Sequence, residues 1–277
     1  MIGFQPIVPQ TGYVGWRFLE RTADAQRVAF EKSPELSRDL EYFKENISKA
    51  TTAEALVNDR RLLKVALGAF GLEDDLNKGA YVLKALVEGT DADDSFANRM
   101  VDKRYQEFSK AFGYGNELGA SVGRSDFAQS IIAPYKVQKF EVAVGEADES
   151  MRLAMVFVRE IGEFANSDSA DETAWFKVLG NPPLRQIFET AFGLPKSFGL
   201  LDVDKQRDIF QDKSRKLFGS NSLSVFKEVE NIDKMLRTFF ARKQISEYSG
   251  IGVPGTTALT LLRDSAAGMA SFFQSRL

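Results

Sequence analysis

The sequence predicts an all-α, multihelical fold made of two divergent helical repeats plus N- and C-terminal helices. Three observations carry this expectation. Apolar residues recur at spacings of three and four, the period of a helix with one buried face. Phe-Gly steps close four of these segments, at 70–71, 112–113, 192–193 and 218–219. Only one short segment, 140–144, alternates like a strand, and it has no evident pairing partner.

Residues 1–11 are apolar and contain Pro6 and Pro9, so they read as an extended arm. Trp16, Leu19, Ala23, Gln26 and Phe30 then form a narrow stripe on a helix over 12–31. Ser33-Pro34-Glu35 starts the next helix, with serine as cap and proline in the first turn. That helix runs through Leu40, Phe43 and Ile47, and Thr51-x-x-Glu54 fits a capping box for a short one after it.

Residues 59–70 form a strongly amphipathic helix that recurs at 181–192, where Phe192 lies 122 residues after Phe70. At that offset Leu62 meets Leu184, Val65 meets Ile187, Ala66 meets Phe188 and Ala69 meets Ala191. Both helices close as A-F-G-L. Gly71 and Gly193 suit the left-handed residue after a helix end, and the following leucine can fold back on the last turn. Pro182 and Pro183 start the second copy, where missing N–H groups cost least.

Glu73-Asp74-Asp75 is expected to open a helix carrying Leu76, Tyr81, Leu83 and Val87. A further helix covers about 94–112, followed by a glycine-rich, mobile connection over 113–123. Helical pattern resumes near Ser125 and continues to Val144, interrupted at Pro134. The series begins again with a helix over 151–165 and a capping box at Ser169-x-x-Glu172. Trp175 and Val178 match Ala53 and Leu56, a helix over 204–218 follows, and 223–243 matches 125–140 at an offset of 104. The units are thus 1–33, an arm and helix; 34–146 and 150–249, the repeats; and 256–277, a final helix. That final helix has Leu259, Leu262, Ala266, Met269 and Phe273 at spacings of 3, 4, 3 and 4. It can pack on the repeats or meet a partner. Trp16, Leu19, Phe30, Leu259, Leu262, Met269 and Phe273 are therefore the candidate partner-binding residues.

Composition narrows the chemistry. Hydrophobic residues make up 44% and charged residues 27% of 277, ordinary for a globular protein with a real core. The net charge of −3 and scattered Lys and Arg argue against nucleic acid as a partner. No apolar run approaches the ~20 residues that span a bilayer, and no basic-then-apolar leader opens the chain. Histidine and cysteine are both absent, which removes imidazole bases, thiolates and the usual zinc ligands. The acidic runs at 73–75 and 91–94 lack calcium-loop spacing and read as solvated helix starts. Gly113-Tyr-Gly115-Asn-Glu-Leu-Gly119 lacks the lysine and glycine spacing of a phosphate loop. No catalytic residue, cofactor or metal is expected. Carboxylates or lysines in a cleft between the repeats are the enzymatic alternative.

Several motifs carry a resemblance over nearly the whole chain: F-Q-P-I-V-P at 4–9, G-Y-V-G-W-R-F-L-E-R-T at 12–22 and L-V-N-D-R-R-L-L-K-V-A-L-G-A-F-G-L at 56–72. K-R-Y-Q-E-F-S-K-A-F-G at 103–113 and V-L-G-N-P-P-L-R at 178–185 continue it. Together they resemble a domain-of-unknown-function family encoded in flagellar gene clusters of alphaproteobacteria. The resemblance implies an all-helical fold and flagellar proteins as partners. It implies either a structural component exported to the flagellum or a cytoplasmic assembly factor or export chaperone.

Overall fold

The expected helical periodicity is realised throughout a computed structural model that describes residues 5–166 and 171–250. Thirteen α-helices and no strand occur among the described residues. In order they are α1 (Gly12–Glu31), α2 (Pro34–Asn46), α3 (Ala53–Asn58), α4 (Arg60–Gly68), α5 (Gly79–Glu88), α6 (Phe96–Arg99) and α7 (Arg104–Phe112). Then come α8 (Phe127–Ala147), α9 (Glu149–Asn166), α10 (Asp171–Leu179), α11 (Pro182–Ala191), α12 (Val203–Phe218) and α13 (Val229–Gly250). The Ser169 capping box and the helix expected over 256–277 lie outside the described residues.

The two halves share a local pattern. Helix α4 packs on α2 and α8, and α11 packs on α9 and α13. Leu72 N–H donates to the Leu67 carbonyl at 3.0 Å, and Leu194 N–H to the Glu189 carbonyl at 2.9 Å, the long bond of a Schellman ending. Gly113 and Gly219 end α7 and α12 differently, each with one bond, to Ser109 and Arg215. Apolar faces from every helix meet in one core. In the second half Phe188 is its hub, touching the rings of Phe157, Trp175, Phe192, Phe210 and Phe226. Such rings combine large buried area with edge-to-face attraction.

At several places where the structure departs from the sequence expectation, a tertiary partner is the reason. Glu73–Asp75 make a single 3-10 turn, and α5 starts only at Gly79. Two of the three acids are engaged by distant residues, not simply solvated: Glu73 accepts from Lys139 on α8 at 2.7 Å, and Asp75 accepts from the Tyr105 hydroxyl at 2.7 Å. Helix α5 buries Val82, Ala85 and Leu86, leaving Tyr81 and Val87 exposed, so its core face is not the expected one. The helix expected over 94–112 is broken at 100–103, where Lys103 N–H reaches the Gly180 carbonyl of the other half at 3.0 Å. The cap before α3 is Thr52, not Thr51, and accepts from Ala55 N–H. Ser33 precedes α2 but makes no side-chain cap bond. The 113–123 connection is pinned: Asn116 accepts from Thr90 N–H at 2.7 Å and Tyr114 donates to the Ala50 carbonyl. Helix α8 continues through Pro134, held on either side by buried Ile131, Ile132 and Tyr135.

The N-terminal stripe also resolves. Trp16, Leu19 and Phe30 are 3%, 0% and 8% exposed, so they are core residues and not an open partner-binding face. Helices α8, α9 and α13 of the same chain satisfy α1, and Trp16 stacks on Phe240. The arm before α1 is tied down by Gln26, which accepts from Ile7 N–H at 2.7 Å and donates to the Ile7 carbonyl.

Helices α4 and α8 approach closely because Gly68 has no side chain. A Cβ there would lie 2.6 Å from the Tyr135 ring. Gly68→Ala should therefore destabilise the protein by about 1–3 kcal/mol in urea unfolding, despite alanine's better helix propensity. Tyr135→Leu in the same chain should recover part of that loss. A neutral or stabilising Gly68→Ala would show that the close approach is not required.

Candidate functional site

Two concave surfaces lie on either side of a short chain of polar contacts. Glu141 on α8 is 1% exposed, an expensive place for a carboxylate without a partner. Arg159 on α9 answers it with two bonds, Nε to Oε1 at 2.8 Å and Nη2 to Oε2 at 3.0 Å. The third guanidinium nitrogen, Nη1, lies 3.0 Å from Glu160 Oε1. Glu160 Oε2 accepts from Asn181 Nδ2 at 2.6 Å, and Asn181 Oδ1 caps α11 by accepting from Leu184 N–H at 3.2 Å. Burial pushes the Glu160 carboxyl above the usual carboxylate range, against the lowering influence of Arg159 and Asn181. The same guanidinium is held more firmly charged, its own burial being outweighed by the bond to Glu141.

Beside Glu141 and Arg159 runs a groove of about 310 Å³ between α1, α8 and α9. Trp16 and Leu19 lie at its floor, with Ala23, Val137, Met155 and Val158 along its walls. Val158 is 40% exposed. Glu20, Asp24 and Arg27 rim the α1 side. The groove is apolar inside and charged at its edge, the anatomy of a protein-docking surface. Of the expected partner-binding residues, Trp16 and Leu19 reach it only as floor, and Phe30 packs against Phe140. Leu259, Leu262, Met269 and Phe273 lie outside the described residues.

Beside Asn181, at the other end of the polar chain, is a cleft of about 480 Å³ between the two halves. Helix α7 contributes Glu107, with Lys103 and Arg104 at its start; α9 and α10 contribute Glu163, Phe164, Phe176 and Lys177. The Glu107 carboxyl reaches solvent, yet its enclosure in the cleft and the facing Glu163 push it above the usual range. Arg104 is occupied by Asp102, at 2.7 Å, and by the Gly71 carbonyl. The junction is therefore not a solid apolar one. Among the described residues, no group of three or more ligating side chains could hold a metal.

Sequence reading missed Glu141 and Arg159, which stand 18 residues apart. One signal was available: Glu141 sits inside the apolar run F-E-V-A-V, and Arg159 follows M-V-F-V.

A family model described as "Protein of unknown function (DUF1217)" matches residues 69–232. Among solved structures, the chain is similar to the crystal structure of protein AGR_C_984 from Agrobacterium tumefaciens. The two are 26% identical with a TM-score of 0.67, over 87% of this chain and 99% of that one. Comparison with curated proteins finds no match. No helix among the described residues is long and apolar enough to cross a membrane.

Arg159→Ala should cost about 3 kcal/mol in urea unfolding, the low end for a broken buried pair because Arg159 is itself 32% exposed. Replacing both partners, Glu141→Leu with Arg159→Met, should restore most of it; a double variant no better than Arg159→Ala would refute the pairing argument. Glu160 carries a pH signature. Its folded carboxyl keeps a proton to higher pH than the unfolded chain does, so its ionisation subtracts stability as pH rises through the folded value. Glu160→Gln keeps an acceptor for Asn181 and removes that loss. Thermal unfolding between about pH 4 and 8 should show the variant gaining on the parent as pH rises. A constant difference would dismiss the assignment.

Proposed function

The chain belongs to the DUF1217 family, and on that premise we propose that it is a non-enzymatic, flagellum-associated protein that acts by binding other proteins. The observation that carries the reading is the apolar groove between α1, α8 and α9, open along walls that include exposed Val158. A charged rim around an apolar trough favours an amphipathic helix as its occupant. The flagellar setting is supported by the segments at 4–9, 12–22, 56–72, 103–113 and 178–185 that carry the family resemblance. In this reading the protein is made in the cytoplasm. It works there as an assembly factor or export chaperone, or it is exported as a structural component.

A second reading is favoured by the cleft, where Glu107, Glu163 and Lys177 converge on one space. An enzyme working through carboxylate or lysine chemistry would place its reaction there.

Deletion of the gene, with imaging of flagella and swimming, is the deciding experiment. The expected result is a loss of assembly or rotation that Val158→Asp fails to rescue, although that variant folds normally and the wild-type gene does rescue. Unchanged flagella would end the flagellar reading. Rescue by Val158→Asp but not by Glu107→Gln with Glu163→Gln would transfer the function to the cleft. Basal bodies containing the protein would favour the exported form over the cytoplasmic one.

A further inference from the structure

We propose that the cleft between the two halves binds a small organic cation, a protonated amine on an apolar stem, held between Glu107 on α7 and Glu163 on α9. The inference rests on the second reading, in which the cleft is the working site, but it requires no reaction there. It takes no support from the groove or from a flagellar partner. Charge, wall chemistry and ligand number each point to this class of ligand.

The cleft is more acidic than its lining suggests once internal partners are counted. Lys103, Arg104 and Lys177 line it beside the two glutamates. Lys103 Nζ, however, donates to the Asn98 carbonyl at 2.7 Å, and Arg104 is taken by Asp102 and the Gly71 carbonyl. Enclosure is the largest influence on the Glu107 carboxyl and Glu163 the next, and both push it up; Lys177 pulls it down more weakly. Glu107 and Glu163 make no hydrogen bond or ion pair with any described residue. Facing carboxylates disfavour each other's charge, and a cation placed between them relieves both.

The walls suit an apolar stem. Phe164 on α9 and Phe176 on α10 are half-buried, packed on the core while still lining the cleft. Aromatic rings hold an alkyl chain by apolar contact and favour a cation near their faces. The volume of about 480 Å³ falls within the roughly 300–1,000 Å³ of small-molecule sites. An exposed ion pair is weak by itself, so the stem must supply much of the affinity.

Ligand number favours an ammonium over a metal ion. Calcium and magnesium need about six or more oxygens, and no group of three or more ligating side chains exists among the described residues. An ammonium has three N–H donors, which two carboxylates can accept. Its charge also favours the ionised form of Glu107, so binding and proton loss from Glu107 are coupled. The groups facing Glu107 are Glu160 and Glu163 on α9, Lys177 on α10, and Asp102 and Arg104 around the start of its own helix.

Ligand-observed NMR on the full chain, at neutral pH and low salt, tests the proposal with hexylamine, hexanol and hexanoate, which share a stem and differ in charge. Hexylamine should bind several-fold more tightly than either of the others, and ammonium ion alone far more weakly. Glu107→Gln with Glu163→Gln should abolish that preference, while Glu230→Gln, an exposed acid on α13 outside the cleft, should leave it unchanged. Between about pH 4 and 8 the affinity for hexylamine should rise as Glu107 loses its proton, the amine staying charged throughout, and Glu107→Gln should flatten the rise. Nα-acetyl-lysine methylamide presents the same ammonium from a peptide backbone. Binding as tight as that of hexylamine would identify a partner's lysine side chain as the source, and weaker binding a free amine. No binding of hexylamine, equal binding of hexanol, tighter binding of hexanoate or a preference untouched by the double variant would overturn the proposal. Each of these failures leaves standing the flagellar rescue result with the same two glutamines, so loss of this inference and loss of a reaction in the cleft are distinguishable.

Discussion

One buried charge constrains the junction between the halves. Glu141 is enclosed between α8 and α9, and a carboxylate there is tolerable only while Arg159 holds both of its oxygens. Because the guanidinium is a planar fork, satisfying Glu141 also fixes its third nitrogen, which meets Glu160. Glu160 in turn orients Asn181, and Asn181 caps α11. A single ion pair therefore links α8 and α9 to the cap of the helix that feeds the Phe188 cluster. It also separates two surfaces of unlike character, the groove and the cleft.

The surfaces differ for a physical reason. The groove forms where three helices bury their largest side chains deeper down, with Trp16 and Leu19 used up by α8, α9 and α13. What remains at its walls is small or flexible: Ala23, Val137, Met155 and Val158. The cleft forms where the chain of the first half breaks its helix at 100–103 to bond Gly180 of the second. That break turns the first charged residues of α7 toward α9 and α10. Apolar walls suit shape recognition, and facing like charges suit a proton-dependent contact.

Much of the architecture was legible in the residues themselves. Periodicity of three to four, Pro182 and Pro183 in a first turn, and glycine after phenylalanine specified α4, α11 and their endings to within about two residues. These are local effects, governed by helix geometry and by which residue accepts a positive φ. The expected stripe on α5 and the expected helix starts at 73–75 failed because distant partners decided them. Lys139 and Tyr105 claim the acids, and nothing within the segment announces either.

What the sequence determined by itself was therefore the all-helical class, the Phe-Gly stops and the absence of imidazole and thiol side chains. Which face each helix turned inward was a property of the assembled chain. Trp16, Leu19 and Phe30 make the point: their spacing specified a helical seam, but only the packing of α8, α9 and α13 showed that the seam was already filled. The Glu141–Arg159 pair joins residues that no local rule connects, because its energy comes from shared burial and not from sequence spacing. The groove and the cleft likewise depend on how helices distant in sequence pack together, and for that reason they belong to the tertiary structure alone.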